Sequence, residues 1–553
     1  MQQEVFGRNV IRRAHYIEPP GEVDKRKLRT VQIAFRLAGK PVRAAGQNRL
    51  AASGGGGIVA VFHARMLKAT AIFRAGATVM LTALALIGHA DGADRRPSFV
   101  VILADDLGYG DTSPYGGWIA TPELDRMAAE GLRFTDFHSS GNVCSPTRAG
   151  LLTGRYQQRA GIPGVVFADA KRAAHYTGLQ SSEVTLAESL KDAGYATALF
   201  GKWHLGYQPQ YNPVHHGFDE FRGYVSGNVD YHSHRDNQNR EDWWHGLEKS
   251  PEEGYVTHLI TRHAEEFIRR HRERPFFLLD AHQAVHDPYQ GPGETILRGP
   301  DSVADHAELR DVKDIYRDMM IELDRSIGRT LSVLRETGIA EDTFVFFFSD
   351  NGANRHGSNQ PWRGFKGGDW EGGHRVPFIA RWPGRIEAGS VSDALVSNID
   401  LLATVAALTG RKLGADEGPD SFDLLPAFTG PGGTEVRGSL LIAPAQPKNL
   451  SLRRGDWMYI GAQGGGGFAE RKVGDHTFGG PAAHRFTGHV NSDIENGEIR
   501  PDAPEAQLYH LGRDPRQLKN VIREHAGVAA ELKQELEAIL ARPTAPHARS
   551  AGY

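Results

Sequence analysis

Two acidic pairs, Asp105-Asp106 and Asp350-Asn351, offer nothing but oxygen as ligand atoms. Such a set suits a hard divalent cation such as Ca2+, with Mg2+ as the alternative, and does not suit zinc. Cys144 is the only cysteine in 553 residues, which excludes an intrachain disulfide, an all-cysteine zinc site and an iron–sulfur cluster. It stands in Cys144-Ser145-Pro146-Thr147-Arg148. Ser145 reads as the cap of a helix with Pro146 in its first turn, so the thiol sits at a helix N-terminus, where backbone N–H groups favour negative charge. An isolated cysteine is ordinarily a small buried hydrophobe. The residues around this one point to reactivity instead.

The elements that must position these groups are four apolar runs, each ending in a polar cluster. Residues 98–104 run into Asp105, 196–200 into Gly201-Lys202-Trp203-His204, 276–279 into Asp280, His282 and His286, and 344–348 into Ser349-Asp350-Asn351. Continuous rather than alternating apolar character predicts strands buried on both faces. Helical patterns at 122–129, 185–193, 257–270 and 315–337 fall between them, which predicts an α/β fold with a large, mostly parallel central sheet covered by helices on both faces. Ligands bind at the carboxyl ends of strands in such sheets, and all four clusters lie there. Beyond about residue 430 come short strands (439–443, 456–460), a glycine-rich loop at 464–467 and a helix at 527–541, the pattern of a smaller C-terminal α+β domain.

The Cys-x-Pro-x-Arg block with the following Leu-x-x-Gly-Arg (151–155) resembles the signature of type I sulfatases, of the alkaline-phosphatase-like superfamily. The resemblance spans about residues 97–541 and rests on separated blocks: 105–111 (DDLGYGD), Cys144 and its flank, 201–206 (GKWHLG), 216–221 (HGFDEF) and 349–352 (SDNG), supported by Gly364-Phe365-Lys366, Glu371-Gly372-Gly373 and Pro377. It implies that Cys144 is oxidised by a separate maturation enzyme to Cα-formylglycine (3-oxoalanine), whose hydrate is the nucleophile. It implies Ca2+ on Asp105, Asp106, Asp350 and Asn351, with residue 144 also facing the ion. Lys202 and Lys366 suit the nonbridging oxygens of a sulfate ester, and Arg148, one helical turn from Cys144, can hold the diol and the metal carboxylates. The resemblance assigns His204 as base toward the second diol hydroxyl and His286 as donor to the leaving alcohol, with His282 as a rival for the latter role. The implied reaction forms a covalent sulfo-enzyme, which collapses to the aldehyde with loss of sulfate. The polar residue that helps the family bind sulfate after block 216–221 has no evident match. Asp230, His232, Trp243 and Trp244 are candidate substrate contacts there, tryptophan faces suiting a sugar or aryl ring.

Charge and length bound the rest. Residues 1–65 hold 12 Lys+Arg against 4 Asp+Glu, leaving 52 basic and 63 acidic residues from Met66 onward, a net of −11. An acidic body argues against nucleic acid as partner. Met66, Lys68 and Arg74 precede a 14-residue apolar run (75–88) and Gly88-His89-Ala90, the layout of a signal peptide, too short to span a bilayer at the ~20 residues required. The sequence therefore predicts a mispredicted extension or basic arm at 1–65, a leader at 66–90, a catalytic domain at 97–430, a smaller domain at 431–553, and a periplasmic or secreted sulfatase of a carbohydrate or aryl sulfate with no membrane span. The alternatives are a formylglycine phosphonate or phosphodiester hydrolase of the same superfamily, a thiol hydrolase using unmodified Cys144, and a silent carbohydrate-binding relative.

Overall fold

The computed structural model describes residues 96–300, 302–303, 310–430, 434–445, 449–467 and 491–542, all within the unit Asp91–Tyr553. The leader and N-terminal extension read from the sequence lie outside the described residues. The elements that frame the site are, in chain order, β1 (Ser98–Ala104), α1 (Pro122–Ala129), β2 (Leu132–Phe134), α2 (Cys144–Thr153), α3 (Leu186–Asp192), β3 (Ala196–Lys202) and β4 (Glu220–Tyr224). There follow β5 (Trp244–His245), β6 (Glu248–Lys249), α4 (Val256–His271), β7 (Phe276–Ala281), α5 (Val312–Glu336), β8 (Thr343–Ser349), β9 (Phe378–Arg381), β10 (Ser390–Ser392) and α6 (Leu401–Thr409).

Ten strands form one sheet in the order β10-β2-β9-β8-β1-β7-β3-β4-β5-β6. The five central strands β8, β1, β7, β3 and β4 are mutually parallel, while β9 runs antiparallel to β8. The unbroken apolar runs have a simple cause. Phe99, Val101 and Leu103 of β1 enter one core, with Leu151, Leu186 and Leu401 from α2, α3 and α6. Val100 and Ile102 enter the other, with Leu124, Ile260 and Leu323 from α1, α4 and α5. Because each strand alternates its side chains between two buried faces, every position must be apolar.

The C-terminal portion adds β11 (Ser439–Ile442), β12 (Ser451–Arg454), β13 (Trp457–Ile460) and β14 (Gln507–His510), an antiparallel four-stranded sheet, and α7 (Ala526–Ala541). Its core takes in Tyr156, Trp370 and Ile399 from the larger part. The helices sit within a few residues of the sequence reading, and Thr185 caps α3 in a capping box with Glu188. The capping of α2 differs from expectation. The helix starts at Cys144 with extended Val143 before it and no side-chain cap. Ser145 lies inside the helix as its second residue, and its hydroxyl accepts the Val166 N–H at 3.1 Å.

Candidate active site

The register of the parallel strands builds the centre. Ala104 of β1 pairs with Ser349 of β8, so Asp105-Asp106 and Asp350-Asn351 leave the sheet side by side. Lys202 is the last residue of β3, next but one to β1 across β7. The turn after β7 is tied to the acid pair by two backbone bonds, Asp105 N to Ala284 O at 3.1 Å and Val285 N to Asp105 O at 2.8 Å, which carries His286 into the same place. Gly201 permits the approach of β3 to β7: its φ is +104°, and a Cβ there would lie 2.0 Å from the Ala281 carbonyl oxygen.

Three cations meet three carboxylates. Lys202 Nζ donates to Asp105 Oδ2 at 2.5 Å, Lys366 Nζ lies 2.8 Å from Asp106 Oδ1, and Arg148 Nε donates to Asp350 Oδ2 at 3.0 Å. A second Arg148 nitrogen donates to the Lys202 carbonyl at 2.9 Å, locking α2 to the end of β3. All six side chains are buried. Burial alone would raise the Asp105 carboxyl, but the charges of Lys202, Arg148 and Lys366 hold it well below the usual range. Asp350 goes the other way, to about 6, because burial and the neighbouring Asp105 charge outweigh Arg148. Lys366 is kept protonated by Asp106 against its own burial.

The oxygen cluster fits a divalent ion on two observations. Asp105 Oδ1 and Asn351 Oδ1 are buried without a hydrogen-bond partner, and Asp105, Asp350 and the Cys144 sulfur bring ligand atoms within 4.8 Å of one another. A dication added to three balanced ion pairs leaves the cluster net positive, the sign needed for a sulfate ester.

Cys144, at the first position of α2, is buried. Burial raises its thiol above the ordinary value despite Lys202 and Lys366, so the unmodified residue is a poor thiolate. His286 accepts at Nε2 from Lys366 Nζ at 3.0 Å, while its Nδ1 donates to the Asp287 carbonyl at 2.7 Å, which assigns the neutral tautomer. His204, at φ +58°, donates Nε2–H to Val166 O at 2.8 Å and leaves Nδ1 buried and bare. Burial and the charges of Lys202 and Arg148 keep it neutral far below its ordinary range, as a base must be. Gly227 leaves room for the ring, since a Cβ there would meet its Nε2 at 2.9 Å.

The remaining sequence candidates lie elsewhere or are already engaged. His282 is fully buried and faces Ser326 Oγ of α5 at 3.2 Å, whereas its rival His286 lies beside Lys366. Asp230 spends both oxygens on backbone: Oδ1 accepts from His232 N and Ser233 N, Oδ2 from Leu297 N and Arg298 N. It shapes the loop. His232 packs on Tyr255 with Nε2 3.3 Å from Gly291 O. Trp243 is buried with its indole on Glu252, and Trp244 lies in β5 with its N–H on Asp242.

The sequence reading missed the environment of His286. Asn228 Nδ2 donates to Asp287 Oδ2 at 3.1 Å and reaches His286 Nδ1 at 3.5 Å, and Arg298 donates to Asn228 Oδ1 at 2.7 Å. Adjacency made Asp287 readable, whereas Asn228 and Arg298 carry no local signal.

Comparison with known proteins gives a consistent picture. A family model described as Sulfatase matches residues 97–411. The N-acetylgalactosamine-6-sulfatase of Mus musculus is 40% identical over 379 residues, 63% of this chain and 69% of that protein. Arylsulfatase A of Homo sapiens is 33% identical over 484 residues, 80% of this chain and 87% of the human protein. Among solved structures, the Bacteroides thetaiotaomicron chain BT33336S-sulf superposes with a TM-score of 0.65 at 26% identity, covering 81% of this chain and all of that one.

Proposed function

The chain belongs to the sulfatase family, and from that footing we propose that it hydrolyses a sulfate ester of a sugar at the centre built on Cys144. As a member it is a sulfuric ester hydrolase, and the family implies both formylglycine and a divalent metal. The observation that carries the reading is the gathering of Cys144, Asp105 and Asp350 within 4.8 Å, under two buried lysines. The phosphonate or phosphodiester alternative is not favoured, since the curated relatives at 33–40% identity are named as sulfatases. The raised Cys144 thiol speaks against the thiol-hydrolase reading.

Asp105, Asp106, Asp350 and Asn351 would hold Ca2+, with residue 144 facing it; the ion would supply positive charge against the ester oxygens. Oxidised and hydrated, residue 144 offers one hydroxyl to attack sulfur and a second to expel sulfate. Lys202 and Lys366 bind the nonbridging oxygens and stabilise charge that develops on them. Lys366 also donates to His286 Nε2; a proton passed from Lys366 along that bond would make His286 the acid that gives it to the departing ester oxygen. His204 Nδ1, bare and neutral, takes the proton of the second hydroxyl. Arg148 fixes Asp350 and the end of β3 so that these groups keep their spacing.

A maturation enzyme must act on the chain before it is active, and the leader at 66–90 assigns the mature protein to the periplasm or the exterior. Among the described residues no helix is long and apolar enough to cross a membrane. The sugar reading is supported by the relative named N-acetylgalactosamine-6-sulfatase. It is tested by sulfate release from 2-, 3-, 4- and 6-sulfated monosaccharides and aryl sulfates, using enzyme co-produced with a maturation system. A sugar sulfate should exceed the aryl esters in kcat/KM, and activity confined to aryl esters or aryl phosphonates contradicts the proposal.

A further inference from the structure

A second set of ligand-type side chains lies outside the catalytic machinery. His138 ends the short strand Phe137–His138, and Glu371 and His374 belong to the turn Glu371–Gly373 and its end. All three are fully buried, and one ligand atom from each lies within 4.8 Å of the others.

Proton bookkeeping shows what the cluster lacks. His138 Nε2 lies 2.9 Å from Asp136 Oδ1. A carboxylate only accepts, so the ring donates there, and its Nδ1 is a lone pair when the ring is neutral. His374 Nδ1 lies 2.9 Å from that same Nδ1. His374 Nε2 is buried with no hydrogen-bond partner. With the His374 proton on Nδ1 the two rings share one N–H···N bond and Nε2 is left bare; with the proton on Nε2, Nδ1 is a lone pair too. Two lone pairs then face each other, a repulsive arrangement unless a cation joins them.

Glu371 completes the set. Arg375 occupies Oε2 at 3.1 Å, and Oε1 is buried with no partner at all. Asp136 and Glu371 are matched by Arg375 and Arg453, which contact them at 3.0–3.2 Å. The Asp136–His138 bond has the form of the carboxylate–histidine pairing that orients metal-bound imidazoles.

We propose that His138 and His374, each through Nδ1, and Glu371, through Oε1, form a structural site for a divalent transition ion of the zinc type, separate from the oxygen-lined catalytic centre. Two imidazoles and one carboxylate select zinc, copper or nickel over calcium. At 2.9 Å the two nitrogens need to open by only a few tenths of an ångström to seat an ion at ~2.0–2.1 Å from each. The site joins two catalytic segments: Ser139 N, on the way to Cys144, donates to His374 O at 2.8 Å, and the strap with Lys366 leads into Glu371.

The test is elemental analysis of the full chain produced with zinc supplied and dialysed against a weak chelator in calcium buffer. About one zinc per chain is expected, falling at least about tenfold in His374→Leu with an unchanged circular dichroism spectrum. Replacing zinc by Co2+ in the wild type should give visible ligand-field absorption, a readout that needs no variant to fold. Zinc below about a tenth of an equivalent with no cobalt spectrum in the wild type, or zinc content unaffected by His374→Leu, overturns the proposal. In that case a proton shared by the two rings holds the pair.

Discussion

At the scale of single residues, the centre works by pairing each buried cation with a carboxylate that a divalent ion can take over. Lys366→Met removes one of two ammonium groups placed for the sulfate oxygens and should lower kcat/KM by about 10²–10³. The check is steady-state kinetics on folded protein, because Asp106 is left buried without its partner. A loss of less than about threefold would remove Lys366 from the reaction. His286→Gln should behave differently with different leaving groups. An activated nitrophenyl sulfate needs little help from a proton donor, whereas a sugar or alkyl sulfate should lose about 10²–10⁴. Equal losses for both would mean that His286 does not serve the leaving oxygen. The gathering of these side chains was legible residue by residue, because Asp105, Asp350 and His204 follow a strand and Lys202 ends one, each within a short recognisable block. Asp230 shows the limit: its type suits substrate binding, but four backbone N–H groups from two distant segments consume it.

At the scale of elements, the strand ends are readable because burial on both faces forces unbroken apolar runs, and the side chains gathered at the site stand at or shortly after those ends. Helix caps were less readable, since Ser145 has the right type for a cap yet its hydroxyl is claimed by Val166 from outside α2. Close approaches were invisible for the same reason, that both partners must be known. Gly201→Ala puts a Cβ 2.0 Å from the Ala281 oxygen at φ +104° and should cost at least about 2 kcal/mol by denaturant titration. A cost below about 0.5 kcal/mol would show that β3 and β7 can part freely.

The strap carrying Lys366 also holds Asp369, which is buried, with Asn142 and Asn449 amides each 3.3 Å from one of its oxygens. Burial pushes its carboxyl from 3.8 to about 8. The folded state therefore binds a proton that the unfolded chain has released between those two values, and stability falls as pH rises through that window. Asp369→Asn lacks this proton, so the melting temperature of the wild type should drop relative to the variant between pH 5 and pH 8. A difference independent of pH would contradict the burial argument.

For the whole molecule, the topology surrounds the one thiol in 553 residues with charge: Asp105, Asp350 and the Cys144 sulfur lie within 4.8 Å of one another. The fold class and the overall plan of sheet and smaller C-terminal sheet could be read from sequence. The His138–His374 pairing could not, because it joins segments far apart in the chain by side chains that look ordinary in each. The central claim is that residue 144 works as an aldehyde hydrate and not as a thiol. The direct measurement is the mass of the tryptic peptide carrying residue 144, taken from enzyme that releases sulfate. The account predicts a peptide lighter than the thiol form by about 18 Da, from exchange of sulfur and two hydrogens for one oxygen. Fully active enzyme whose residue 144 is entirely the unmodified cysteine would contradict it.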